Sequence, residues 1–233
     1  MKLLLTSGGV SNATIENALV GLLGKPIAES NALCVPAAAY GSLDPVGMAY
    51  RFITGATPTS RLANLGWKSL GVLELTALPT MKEAIWAPKV RETDALLVWG
   101  GDVMYLCYWM RESGLADLLP SLSDTVWVGV SSGSMVLTPD FGEPYDDWFC
   151  REPTTVPESD LPAADARALG LVDFSVFPHV DNPRAPENSM ANAERWASGR
   201  SAPTYAIDDA TAIQVVDGTV EVVSEGHWKL LTP

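Results

Sequence analysis

The chain has 233 residues, 47% hydrophobic and 18% charged, enough to bury roughly 70% of its unfolded surface around one core. We therefore expect a single domain over residues 1–233 and, with no run approaching the ~20 apolar residues of a membrane span, no membrane partner. A formal charge of −13 argues against the basic surface that binding nucleic acid or anionic lipid requires.

The opening Met1-Lys2-Leu3-Leu4-Leu5 stops being apolar at Thr6-Ser7-Gly8-Gly9, too soon for a signal peptide, and reads as a buried strand over residues 2–6. Thr6-Ser7-Gly8-Gly9 lacks the third glycine of a dinucleotide fingerprint and the Gly-Lys-Ser/Thr of a P-loop, so no phosphate cofactor is expected there. Ile15, Leu19, Leu22 and Leu23 share one helical face that ends at Gly24, a residue suited to a left-handed cap. Further strands are predicted over 33–36, 71–75, 95–99, 125–130 and 174–177, with helical segments between them. One of these, Met104 to Ser113, stops at Gly114. That alternation predicts an α/β fold: a three-layer sandwich with a mostly parallel central sheet and helices on both faces. Segments 211–216 and 220–223 flank Asp217-Gly218, which predicts an antiparallel hairpin near the C-terminus, and 228–231 adds one more strand.

Two of the strand exits carry the chemistry. After 125–130 the chain reads Gly129-Val130-Ser131-Ser132-Gly133, the G-x-S-x-G pattern of a nucleophile elbow. A serine on so sharp a strand-to-helix turn needs neighbours with almost no side chain, and the following N–H groups point from a helix N-terminus toward developing negative charge. In a chain with 19 glycines the pattern is also compatible with a plain glycine-rich turn, so its surroundings decide. After 95–99 comes Gly100-Gly101-Asp102, where a backbone N–H of Gly100 or Gly101 would join that of Ser132 in an oxyanion hole, or where Asp102 simply caps the next helix.

A serine hydroxyl needs a base, and the chain has only His179 and His227. His179 follows the 174–177 strand in Phe177-Pro178-His179, at the carboxyl end where open α/β sheets gather catalytic groups. His227, in Glu225-Gly226-His227-Trp228, reads as a turn residue. A carboxylate must orient the base, and Tyr205-Ala206-Ile207-Asp208-Asp209 offers two at the end of another apolar run, with Asp146, Asp147 and Asp181 as rivals. Segment 140–165 is rich in Pro, Asp and Glu and reads as a long loop beside the site. Cys34, Cys107 and Cys150 lack metal-ligand spacing, which fits a reducing, cytoplasmic compartment and no metal.

Gly100-Gly101-Asp102, the elbow at Ser131, Phe177-Pro178-His179 and Ala206-Ile207-Asp208-Asp209-Ala210-Thr211-Ala212 together resemble the S51 serine peptidases, the group of aspartyl dipeptidase (peptidase E) and cyanophycinase. That resemblance implies a fold related to class I glutamine amidotransferases, and Ser131, His179 and Asp209 as nucleophile, base and acid. Asp209 is aspartate where that family carries glutamate; Asp208 and Asp146 stay as alternative acids, and Ser132 replaces the usual alanine. The resemblance also implies a small peptide substrate, an acyl-enzyme, no cofactor, and a monomer or homodimer. For substrates with an N-terminal aspartate, Arg184 and Arg195 are the nearest guanidinium groups. Two other readings stand beside it: an α/β-hydrolase-like esterase in the order Ser131, Asp208 or Asp209, His227, and an inactive binding homologue.

Overall fold

The computed structural model describes residues 1–56, 61–142 and 168–232. In chain order its elements are β1 (Lys2–Thr6), α1 (Ala13–Leu23), β2 (Asn31–Val35), α2 (Ala37–Tyr40), α3 (Pro45–Ile53), β3 (Ser69–Val72), α4 (Glu83–Arg91), β4 (Ala95–Val98), α5 (Val103–Glu112), α6 (Leu115–Leu118), β5 (Val126–Val130) and α7 (Ser132–Met135). They are followed by β6 (Ser175–Phe177), α8 (Met190–Ala197), β7 (Thr204–Ile207), β8 (Thr211–Val216), β9 (Thr219–Ser224) and β10 (Trp228–Leu231).

Among the described residues the large sheet runs β3-β2-β4-β5-β1-β8-β9. The first five strands are parallel, while β8 runs antiparallel to β1 and β9 antiparallel to β8. The inner parallel strands β1, β4 and β5 are apolar on both faces because helices cover both, whereas edge strand β3 is exposed. On β1, Leu3 and Leu5 join a core with Leu106 and Met110 of α5, whereas Leu4 faces Ile15, Leu19 and Leu22 of α1. The same alternation runs through β4, with Leu96 and Val98 on one side and Ala95 and Leu97 on the other. Trp127 of β5 is fully buried between sheet and helices, so truncating it to Ala is expected to cost about 3–5 kcal/mol.

Helix ends follow the local chemistry. Asn12 caps α1 by accepting the N–H of Ile15, and Gly24 closes it at φ 68°. Asp102 caps α5, its carboxylate accepting the N–H groups of Met104 and Tyr105.

A second, smaller sheet has the order β10-β7-β6. Here β6 and β7 are parallel and β10 is antiparallel to β7, so the last strand pairs away from the hairpin rather than extending it. Val176 and Ile207 turn toward the main core, while Phe177 and Ala206 pack on Ala193 and Ala197 of α8. Buried Arg200 ties this sheet to the stretch after α7: Nε donates to Ser175 Oγ, Nη2 donates to Asp140 Oδ1 at 2.6 Å, and the guanidinium lies 3.9 Å over the Trp196 ring. The predicted strand over 71–75 begins two residues earlier and ends at Val72, because Leu75 turns into a short 3-10 helix with Glu74 accepting the N–H of Thr76. Segment 140–165 lies outside the described residues beyond Gly142.

Candidate active site

The carboxyl ends of β1, β4 and β5 lie side by side, and each ends in small residues. Ser131 leaves β5 at φ 51°, ψ −114°, a conformation that costs a non-glycine residue on the order of 1–3 kcal/mol. The neighbours make it attainable by having no side chains. A Cβ on Gly129 would stand 2.4 Å from the Gly133 carbonyl oxygen, and one on Gly133 would stand 2.2 Å from the Val98 carbonyl oxygen. Hydrogen bonds then fix the turn: Ser131 N–H and Ser134 Oγ both donate to the Thr6 carbonyl, and Trp127 Nε1 donates to the Gly133 carbonyl. The serine is buried at 7% exposure, and its hydroxyl makes no hydrogen bond among the described residues.

Gly100 and Gly101 face this turn. A Cβ on Gly100 would meet Ser131 Cβ at 3.1 Å, and one on Gly101, whose φ is 141°, would meet the Ala38 carbonyl oxygen at 2.2 Å. Ser132 Oγ donates to the Gly101 carbonyl, linking the β4 exit to the elbow. The N–H groups of Gly101 and Ser132 have no acceptor among the described residues. Donors left unpaired at a helix start and an adjoining glycine turn suit an oxyanion. Asp102 caps its helix, one of the two roles the sequence left open for this turn, and the same turn also offers N–H donors.

The small sheet supplies the histidine and the acid. His179 stands two residues past β6 and Asp209 two past β7, and His179 Nδ1 lies 2.7 Å from Asp209 Oδ1. A carboxylate only accepts, so the proton is on Nδ1 and Nε2 is the basic nitrogen. Burial by itself would raise the Asp209 carboxyl, but the hydrogen bond and charge of His179, with the bonds from Ser7 and Asn182, outweigh it and hold the group below its ordinary value. The loop that carries the base is strained, with His179 at φ 59° and Asp181 at φ 55°.

Two residues that the sequence did not single out complete this arrangement. Ser7 Oγ donates to Asp209 Oδ1 at 2.7 Å and accepts the backbone N–H of His179 at 2.7 Å. Asn182 Nδ2 donates to Asp209 Oδ2 at 2.5 Å. The available signal for Ser7 was its position after the first strand, where the sequence showed only an incomplete phosphate loop.

The other candidates make different contacts. Asp208 accepts the N–H groups of Ala210 and His227 and the hydroxyl of Thr211, which makes it the anchor of the turns around it. His227 is exposed, and its main chain rather than its ring meets Asp208. Arg184 is exposed in the turn after His179, its N–H donating to Asn182 Oδ1, and Arg195 is exposed on α8. Asp146, Asp147 and Cys150 lie outside the described residues. Cys34 and Cys107 are buried, and burial pushes the Cys34 thiol up to about 12, which makes it an inert core group. A cleft of about 540 Å³ beside Asp209 is lined by Asn12, Asp181, Asn182, Asp208 and His227, among others. Among the described residues no helix is long and apolar enough to cross a membrane, and no three His, Cys, Asp or Glu side chains converge as a metal ion requires.

The fold has solved relatives. A protein of Listeria monocytogenes EGD-e assigned as a peptidase E protein superposes with a TM-score of 0.65 at 18% identity, over 97% of this chain and 98% of that one. A peptidase from an acI-B1 actinobacterium gives 0.64 at 19% identity, over 99% and 90%. At such identities the likeness concerns the fold. No curated protein matches the sequence. The family model described as Peptidase family S51 matches residues 3–223, and the chain therefore belongs to that peptidase family.

Proposed function

We propose that the protein is a serine-type peptidase that cleaves small peptides through an acyl-enzyme, with Ser131 as nucleophile, His179 as base and Asp209 as the orienting acid. Membership of a peptidase family sets the reaction class. The observation that carries the rest is the 2.7 Å contact between His179 Nδ1 and Asp209 Oδ1, in a chain whose Ser131 is held at φ 51° on a glycine-flanked elbow.

In this reading Ser131 Oγ attacks the peptide carbonyl carbon as His179 Nε2 takes its proton. The tetrahedral oxyanion lies between the N–H groups of Gly101 and Ser132, with Gly100 leaving room for it. The C–N bond then breaks, the leaving amine takes the proton from His179, and water releases the acyl group by the same route. The shorter aspartate at position 209 still reaches the imidazole, which favours an active enzyme over a binding homologue. The contacts of Asp208 with the main chain of His227 favour His179 over His227 as base.

The substrate class proposed is a dipeptide, with N-terminal aspartate as the first to try, because a structural relative is assigned to peptidase E. The guanidinium of Arg184 extends from the loop that carries His179 and is the proposed partner of the substrate carboxylate. The buried Cys34 and Cys107 fit the reducing cytoplasm proposed for it. A panel of Asp-X, Asn-X, Gly-X and N-blocked dipeptides tests the assignment. Cleavage of Asp-X that weakens in Arg184→Ala through KM supports it, and equal cleavage of Asp-X and Gly-X by both proteins contradicts the specificity while leaving the peptidase reading intact.

A further inference from the structure

Ser7 is fully buried just past the carboxyl end of β1, and its hydroxyl is shared between the carboxylate of the proposed acid and the main-chain N–H of the proposed base. Its one proton goes to Asp209 Oδ1, and its lone pair receives the N–H of His179, each at 2.7 Å. His179 Nδ1 lies 3.3 Å from the same oxygen. The neighbour of Ser7 on one side, Thr6, holds the elbow, since its carbonyl accepts from Ser131 N–H and Ser134 Oγ. The neighbour on the other side, Gly8, lets Asp209 press against the strand exit, for a Cβ there would lie 2.8 Å from Asp209 Cβ. Two successive residues, the last of β1 and the first after it, thus grip the nucleophile turn and the base-acid pair.

The left-handed backbone at His179 sharpens the argument. A strained conformation persists only where the surroundings over-determine it, and the Ser7 hydroxyl is the group that fixes the His179 N–H. Asn182 holds the second carboxylate oxygen, but its own position depends on the same loop, with its N–H donating to the His179 carbonyl. The Ser7 hydroxyl thus ties both members of the pair to the end of β1 in the central sheet.

We propose that Ser7 is a positioning residue of this site: its hydroxyl sets the orientation of His179 and Asp209 relative to Ser131. The proposal rests on the assignment of Ser131, His179 and Asp209 made above.

Its test is the rate at which a fluorophosphonate probe modifies Ser131 between pH 4 and 9, followed by mass spectrometry, in the natural protein and in Ser7→Ala, His179→Ala and Ser131→Ala. Labelling in Ser7→Ala is expected to fall by on the order of 10²-fold with the fold retained, the cost of a misplaced catalytic group. In the dipeptide assay the same variant is expected to lose kcat with KM within about twofold of the natural value, the split of a misplaced base rather than of a disturbed substrate site. Should the alanine variant fail to fold, Ser7→Cys keeps the volume, weakens both hydrogen bonds and carries the same expectation. Labelling and kcat of Ser7→Ala at the natural values, while His179→Ala abolishes labelling, overturn the role of Ser7 alone. Undiminished labelling of His179→Ala or Ser131→Ala overturns the assignment beneath it, and the Ser7 role with it.

Discussion

The elbow at Ser131 is shaped first by backbone packed against backbone, whereas the His179–Asp209 pair depends on side chains that reach it from distant parts of the chain. At the elbow the restraints are glycines whose missing Cβ atoms would collide with carbonyl oxygens 2.2 and 2.4 Å away. At the pair they are hydrogen bonds from Ser7 and Asn182, the first spanning 202 residues of sequence. The first kind of restraint tolerates almost no substitution and is written in a short motif. The second is distributed, and each member can be removed without a steric clash. The two regions should therefore respond differently to mutation: the elbow by losing structure, the pair by losing chemistry.

The largest effect should come from the pair. His179→Ala is expected to lower kcat on the order of 10⁶-fold in a dipeptide assay with little change in melting temperature, while His227→Ala leaves turnover within about twofold of the natural protein. If His227→Ala proved the more damaging, the esterase order of residues would replace this one. Asp209→Asn keeps the shape but presents the wrong partner to Nδ1, and should cost on the order of 10⁴-fold in kcat. Asp208→Asn should spare kcat, because Asp208 anchors turns rather than the imidazole.

The elbow breaks the other way. A methyl group on Gly133 must displace the Val98 carbonyl, so Gly133→Ala should cost about 1–3 kcal/mol, seen as a melting temperature lower by roughly 2–4 °C per kcal/mol. Unchanged stability there would show that the turn does not depend on its glycines. The smallest effect concerns pH. The folded carboxyl of Asp209 is held below its ordinary value, so the stability it contributes is complete above about pH 4, the unfolded aspartate value, and is lost as the pH falls through the lower folded one. Asp209→Asn should flatten the decline of melting temperature below about pH 4, and an identical slope in both proteins would contradict the depressed value.

The same contrast explains what could be read from the sequence. Strands β1, β8 and β10 fall on 2–6, 211–216 and 228–231 as the apolar runs predicted, because alternation and a hairpin signal are local properties. The elbow and the Gly100-Gly101-Asp102 turn were legible for that reason too. The pairing of β10 with β7 in a separate sheet was not, since strand partners depend on how distant segments meet. Nor was Ser7, whose surroundings read only as a phosphate loop lacking its glycine and lysine, and whose partners lie 172 and 202 residues away. Choosing between Asp208 and Asp209 also required three dimensions. The two are adjacent, and only the turn into β8 decides which faces the imidazole and which caps the main chain.

The central claim is that Ser131, rather than its neighbour Ser132, is the nucleophile and depends on His179. Mass spectrometry of peptides from the fluorophosphonate-treated protein tests it directly. The expected result is a single adduct on Ser131, lost in His179→Ala and retained in Ser132→Ala, whose hydroxyl is engaged with the Gly101 carbonyl. An adduct on Ser132, or one on Ser131 that forms equally fast without His179, would contradict the account.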